Sequence, residues 1–183
     1  MGACALLTGQ RVRLRAMEPA DAESLWRWNS DPDVIRWLDT EHPESLAHTL
    51  HRAAERERNS YEQILLMIET LAEGRLIGVV CLRDARPEHG RAELDVYLGE
   101  KEFWGRGHGT DAVRVICRYG FDQMRLHSVA LWVAAGNTRA IRAFEKVGFV
   151  QDGRHREAFR RDGAWHDLVL MSLLEHEIRP AGR

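Results

Sequence analysis

Trp104-Gly105-Arg106-Gly107-His108-Gly109-Thr110-Asp111-Ala112 places three glycines on alternate positions between a strand-like run and a helix-like run. Upstream, Glu93-Leu94-Asp95-Val96-Tyr97-Leu98 alternates polar and apolar, the period of a half-buried strand. Downstream, Ala112, Val113, Ile116, Tyr119, Phe121 and Met124 fall near helical spacing. A glycine-rich turn that feeds a helix start leaves unpaired backbone N–H groups at the positive end of the helix dipole. Such a turn is a receptor for a phosphate or pyrophosphate. The Walker loop ends in Gly-Lys-Ser/Thr, and no lysine follows Gly109. The dinucleotide fingerprint is Gly-x-Gly-x-x-Gly, whereas the spacing here is Gly-x-Gly-x-Gly. Taken alone, the stretch also reads as plain turn punctuation.

Thirty residues on, Asn137-Thr138-Arg139-Ala140-Ile141-Arg142-Ala143-Phe144-Glu145-Lys146-Val147-Gly148-Phe149 reads as a short helix capped by Asn137 and closed by Gly148. The two elements together resemble the GNAT superfamily of acyl-CoA-dependent N-acyltransferases. The first is similar to its pyrophosphate loop, Gln/Arg-x-x-Gly-x-Gly/Ala, with Trp104 in the first slot. The second is similar to its Asn-x-x-Ala…Glu-Lys-x-Gly-Phe segment. Within the superfamily the chain resembles the branch of Rim-type N-terminal acetyltransferases and spermidine N-acetyltransferases, from about Arg11 to Leu174.

At 183 residues the chain is long enough for a sizeable core, and one domain over residues 8–176 with terminal tails at 1–7 and 177–183 is expected. The formal charge of −2 argues against a general nucleic-acid binder, which would be basic. Cys4, Cys81 and Cys117 have no metal-ligand spacing, so no metal is expected. Reduced thiols fit a cytoplasmic protein. No apolar run reaches the length of a membrane span, and Met1 to Leu7 is too short for a signal peptide.

Along the chain, Arg11 to Arg15 alternates like an opening strand. Pro19 suits the first turn of a helix to about Asn29, with Leu25 and Trp26 as core candidates. Asp31-Pro32 breaks it, and Val34 to Leu38 reads as another helical turn or two. Pro43 opens a third helix with Leu46, Leu50 and Ala54 on one face. Gln63 to Thr70 and Leu76 to Leu82 should form a hairpin across Glu73-Gly74. A strand at 92–98, a helix at 110–124, a strand at 129–133 and a helix at 138–147 follow. A last hairpin, about 155–160 and 166–174, turns at Asp162-Gly163. Hairpins mixed with helices give an α/β (α+β) fold with a mixed, mostly antiparallel sheet. That order matches the GNAT fold, whose fourth and fifth strands splay apart to admit the cofactor.

The resemblance implies acetyl-CoA as co-substrate and direct transfer to an amine, with no acyl-enzyme. Carried over by position, the backbone of Val96, Tyr97 and Leu98 holds the pantetheine and the thioester carbonyl. The N–H groups of Trp104, Gly105, Arg106, Gly107, His108, Gly109 and Thr110 hold the pyrophosphate. Gly105, Gly107 and Gly109 allow the close backbone approach, and Asp111 should point away from phosphate. Asn137, Ala140, Phe144 and Lys146 fall on the cofactor side, Asn137 being also a helix cap and Lys146 also a plain helix-end cation. Phe144 departs from the family: spermidine-type relatives carry a tyrosine there that protonates the CoA thiolate, and phenylalanine has no proton to give.

Glu93 and Asp95 lie two apart on a strand and share one face, so either is a candidate base for the ammonium proton. Ordinary polar residues on an open strand face are the alternative. His127 reads as a hydrogen-bonded structural histidine, with a catalytic role as the alternative. The acceptor pocket should draw on Trp26, Trp28, Trp37 and Trp165, of which at least two belong to the core, and on Asp39 and Glu41. The site candidates among these are Trp28, Trp37, Asp39 and Glu41. Arg154, Arg156, Arg160 and Arg161 read as a solvated strand face, or as partners for an acidic acceptor. The expected partner is a protein N-terminus or a small-molecule amine, with neither nucleic acid nor membrane; relatives are often homodimers. The rival readings are a polyamine or aminoglycoside N-acetyltransferase, or an acyl-CoA-binding regulatory protein with weak turnover.

Overall fold

The computed structural model describes residues 7–39, 43–56 and 58–178. Its frame is a seven-stranded sheet made of β1 (Val12–Ala16), β2 (Ile64–Thr70), β3 (Leu76–Arg86), β4 (Arg91–Leu98), β5 (Ser128–Ala134), β6 (Val150–Arg161) and β7 (Ala164–Leu174). The spatial order is β1-β2-β3-β4-β5-β7-β6. All neighbours are antiparallel except β4 and β5. The helices are α1 (Ala22–Asn29), α2 (Pro32–Ile35), α3 (Leu46–Ala54), α4 (His108–Asp122) and α5 (Thr138–Val147).

The parallel β4–β5 pair decides where a ligand can enter. It joins only Arg91, Ala92 and Glu93 to Ser128, Val129 and Ala130. Beyond Glu93, β4 stays with β3, and β5 runs on with β7 from Ser128 to Ala134. The two strands therefore part, as the resemblance implies.

Each sheet face buries its own apolar set, because successive side chains of a strand point to opposite faces. On one face α4 lays Ala112, Val113, Ile116 and Cys117 against Val12, Ile68, Val80, Leu82 and Leu131. The buried Asp111 carboxylate accepts the backbone N–H groups of Arg11 (2.8 Å) and Val12 (3.2 Å), which ties the start of α4 to β1. On the other face Trp28, Val34, Met67 and Val79 form a smaller core.

Three expectations change. In α3 the buried position is Thr49, not Leu50, which is 44% exposed. Thr49 Oγ1 donates to the Ser45 carbonyl (3.3 Å), so its hydroxyl is satisfied within the helix and the residue can be buried. Strand β6 begins at Val150, well before residue 155. Register breaks at Gln151/Gly153 and His155/Phe159 interrupt the alternation that would have announced it. Trp26 is only half-buried, its Nε1 donating to the Glu44 carbonyl (3.0 Å), and Trp28 takes the core position instead. The last hairpin turns at Asp162 (φ 51°) and Gly163 (φ 77°), the pair of positive φ values that a two-residue primed turn requires.

Candidate active site

A cavity of about 1380 Å³ opens through the gap between β4 and β5. One wall is the glycine turn. Gly105 (φ 72°) and Gly107 (φ 86°) are left-handed, and Gly107 caps α4. The first helical bond runs from the Asp111 N–H to the Gly107 carbonyl (3.0 Å), so the N–H groups of His108, Gly109 and Thr110 have no intrahelical partner. Gly109 has no positive φ, and a Cβ there would meet only the Leu98 side chain, at 3.7 Å. Its missing side chain leaves cavity wall open.

Trp104 differs from expectation. Its backbone N–H is taken by the Lys101 carbonyl (3.1 Å). Its Nε1 donates to the Leu98 carbonyl (2.8 Å), and the Arg139 guanidinium lies 4.2 Å from its ring centroid. The tryptophan thus ties the turn to β4 and α5. The side chains of Arg106 and His108 do not line the cavity. The His108 ring stands edge-on to Phe103 (5.1 Å), and burial, aided by the Arg11 and Arg106 cations, lowers its pKa. Asp111 faces β1, away from the turn.

The β4 edge forms the floor. The Gly99 N–H donates to the Ile77 carbonyl (2.9 Å), in register with Val79 opposite Tyr97. Alternation then turns the peptide groups of Tyr97 toward β3, and those of Val96 and Leu98 toward the gap. Of the three residues expected here, two present backbone and Tyr97 presents its ring. That ring packs edge-on to Trp28 (6.3 Å) and its hydroxyl donates to Asn29 Oδ1 (3.3 Å); burial pushes the phenol pKa up.

Helix α5 supplies the adjoining wall. Asn137 Oδ1 accepts the Ala140 N–H (3.2 Å), and Asn137, Ala140, Phe144 and Lys146 all line the cavity. Phe144 is nearly buried against Phe149, with ring centroids 5.7 Å apart.

The opposite sheet face carries the charged wall. Arg83 of β3 reaches Glu93 through Nη2 (2.6 Å), Asp95 through Nε (2.5 Å) and Asp84 through Nη1 (2.6 Å). Glu93 and Asp95 do share a face, and both line the cavity. Burial raises the Glu93 pKa; the Arg83 cation opposes this, and the Asp95 and Asp84 charges reinforce it. Trp37 and Asp39 line the same space, Trp37 edge-on to His166 (5.5 Å). Glu41 lies outside the described residues, as does Cys4.

Trp28 is the clear correction. It is 1% exposed, and its Nε1 donates to Glu100 Oε1 (2.9 Å). Its ring occupies the space where any side chain at Gly99 would sit. Trp165 is exposed beside Arg160 (5.8 Å) and does not line the cavity. Arg160 and Arg161 line it, whereas Arg154 pairs with Asp167 (2.5 Å). His127 sits away from the cavity, its Nδ1 3.2 Å from Glu175 Oε1. Cys81 and Cys117 are free and buried, and burial raises both thiol pKa values. Among the described residues no group of three or more His, Cys, Asp or Glu could hold a metal ion.

The sequence reading passed over Arg83, Trp132, His155 and Phe159, which also line the cavity. Trp132 had a signal: Val129, Leu131 and Val133 alternate inward, which turns Trp132 to the face of Glu93. Arg83 had none, since its partners depend on the β3–β4 register.

The two walls differ in chemistry. Free amides at a helix start fit a pyrophosphate, and carboxylates across the gap fit an ammonium. Residues 11–150 match the family model described as an acetyltransferase (GNAT) domain. "Putative ribosomal N-acetyltransferase YdaF" of Bacillus subtilis (strain 168) is 30% identical over 172 residues, covering 92% of this chain and 93% of the relative. The spermidine N(1)-acetyltransferase of Escherichia coli (strain K12) is 25% identical over 166 residues, covering 91% and 87%. In the solved structure of spermidine N-acetyltransferase from Vibrio cholerae in complex with CoA and spermine, the fold matches with a TM-score of 0.79. That match covers 91% of this chain and 96% of the other at 24% identity.

Proposed function

Because this chain belongs to the GNAT acetyltransferase family, we propose that its acceptor is a molecule with one primary ammonium at the reacting end, a protein N-terminus or a small amine. The observation that carries this reading is the make-up of the acceptor wall. Glu93 and Asp95 gather around Arg83, and Asp33 and Asp39 line the cavity apart from them. The strand segments facing that cluster are aromatic (Trp132, Phe159) and cationic (Arg160, Arg161). A polyamine carries further ammonium groups, and the two arginines would repel them.

Acetyl-CoA supplies a thioester: the amine lone pair forms an N–C bond at its carbonyl carbon, and the C–S bond breaks with sulfur keeping the electron pair. The residues of this chain then have separable tasks. The free amides of the turn and of Val96 and Leu98 hold the donor along the gap. Glu93, whose pKa burial raises, takes the ammonium proton directly or through water, with Asp95 beside it. Phe144 gives no proton, so the thiolate leaves toward water. We also place the protein in the cytoplasm. The free, buried thiols of Cys81 and Cys117 support this.

CoA release should be measured with peptides bearing a free N-terminal alanine or serine, with the same peptides N-blocked, and with spermidine and an aminoglycoside. Free peptides should turn over and blocked ones should not. The peptide kcat/KM should exceed that of spermidine by about tenfold, or about 1.4 kcal/mol of transition-state binding. A preference for spermidine would establish the polyamine reading instead.

A further inference from the structure

We propose that Arg83 is a positioning residue for acetyl transfer: it holds Glu93 and Asp95 at fixed places on the acceptor wall and sets the charge that wall offers to an incoming ammonium. The inference rests on the reading of those carboxylates as the proton-accepting pair.

The guanidinium uses a different nitrogen for each carboxylate: Nε for Asp95, Nη1 for Asp84 and Nη2 for Glu93. Only arginine offers donors in such a fixed fork. A lysine could neutralise the same charge but could not fix three directions. With three carboxylates around one cation, the cluster keeps a net negative charge. It can therefore attract an ammonium even though every carboxylate already has a partner.

A cross-strand staple is the plain alternative, since Arg83 lies opposite Glu93 in the β3–β4 register. Two features go beyond it. First, Asp95 lies past the last β4–β5 pair, so Arg83 reaches along β4 to the wall of the gap. Second, Asp84 follows Arg83 directly, and neighbours on a regular strand point to opposite faces. Here the register breaks after Arg83 and Asp84 takes φ 54°, which brings its carboxylate to the same guanidinium. A bulge with a left-handed aspartate adds a third anion to a pair that a staple would leave at two.

The surroundings decide the sign of a pH effect. From β3 the Arg83 cluster is faced by Asp84 and the buried Cys81, and from β4 by Glu93 and Asp95. Arg56, beyond α3, adds a further cation near Cys81. The same cavity is lined by Asp33, Asp39, His155, Arg160 and Arg161, and on the α5 side by Arg139, Arg142 and Lys146. Arg83 is the cation bonded to Glu93. Burial already raises the Glu93 pKa, so removing Arg83 raises it further, and the base is ionised only at higher pH.

The test is the pH profile of kcat/KM for the amine in Arg83→Met and Arg83→Lys. In Arg83→Met the acid limb should move up by about one unit, because an opposite charge at this distance moves a carboxyl by about one to three units and solvent reaches both Arg83 and Glu93. The rate at neutral pH should fall about tenfold, with acetyl-CoA affinity unchanged. In Arg83→Lys the limb should return toward its original place while the rate stays reduced. An unmoved limb in an Arg83→Met protein that still binds acetyl-CoA would overturn the inference and leave a staple. Should Arg83→Met not fold, Arg83→Lys decides: a full wild-type rate overturns the positioning role, and a reduced rate with an unmoved limb supports it. The Glu93→Gln, Asp95→Asn double variant separates the two claims. If it loses the limb while Arg83→Met does not shift it, the inference fails alone. If it keeps the full rate, the base assignment fails and takes the inference with it.

Discussion

On the α4 side of the gap the groups proposed to bind are backbone amides, fixed by two left-handed glycines and one helix start within a dozen residues. On the opposite side they are side chains drawn from β3, β4, β5, β6 and the segment after α2. A wall made of backbone can bind any ligand that presents the same phosphates. A wall made of side chains from distant segments can change with single substitutions. That contrast fits a family in which the donor is shared and the acceptor varies, as the ribosomal and spermidine names of two relatives illustrate.

The largest expected effect separates the walls. Replacing Glu93 by Gln and Asp95 by Asn together should lower kcat for the amine by about 10²–10⁴-fold, the usual reach of general acid–base assistance. The affinity for acetyl-CoA should stay within about twofold. Calorimetry for the donor and steady-state kinetics for the amine give the two numbers. A threefold loss or less would assign both carboxylates to structure, and the acceptor wall would then have no proton acceptor on this strand.

Gly107→Val tests the other wall with a smaller effect. At φ 86° a β-branched residue is strained by about 1–3 kcal/mol. The added Cβ would also stand 3.4 Å from Arg11 Nε, a side-chain end that can shift. The turn should re-form without its free amides aligned, and acetyl-CoA affinity should fall about 10- to 100-fold while the fold persists by circular dichroism. Unchanged affinity in the folded variant would mean that the amides at this helix start do not hold the donor.

The same contrast explains how much was legible in the sequence. Local backbone chemistry leaves local marks. Asn137 and Gly148 bracketed α5, Asp162-Gly163 marked its turn, and the alternate glycines marked the start of α4. The acceptor side depends on register and on packing between distant segments. Trp28 and Trp37 look alike in sequence, yet one fills the space left by Gly99 and the other the space beside Gly136. Arg83 is one of many arginines until β3 and β4 are paired. The register breaks in β6 hid its opening stretch from Val150, whereas the part that carries His155 and Phe159 to the cavity reads as a strand.

The smallest expected effect falls where the two ways of building meet. Asn137 is a cap by its Oδ1, which accepts the Ala140 N–H (3.2 Å), and it also lines the cavity. Its backbone N–H is engaged with the Ala134 carbonyl (2.8 Å), so only the side chain is at issue. Asn137→Ala loses one cap bond, worth about 1 kcal/mol. In a chain of this size that lowers Tm by about 2–4 °C. If the side chain also serves the donor, acetyl-CoA affinity should fall a further few-fold, beyond what the stability change explains, since the folded fraction remains near one. A lower Tm with wild-type affinity would make Asn137 purely a cap, and any contact of α5 with the donor would fall to the other residues it turns to the cavity, such as Ala140, Phe144 and Lys146. A lower affinity with an unchanged Tm would show the reverse: that the cap bond is replaceable by water, and that the side chain is held in place for the ligand.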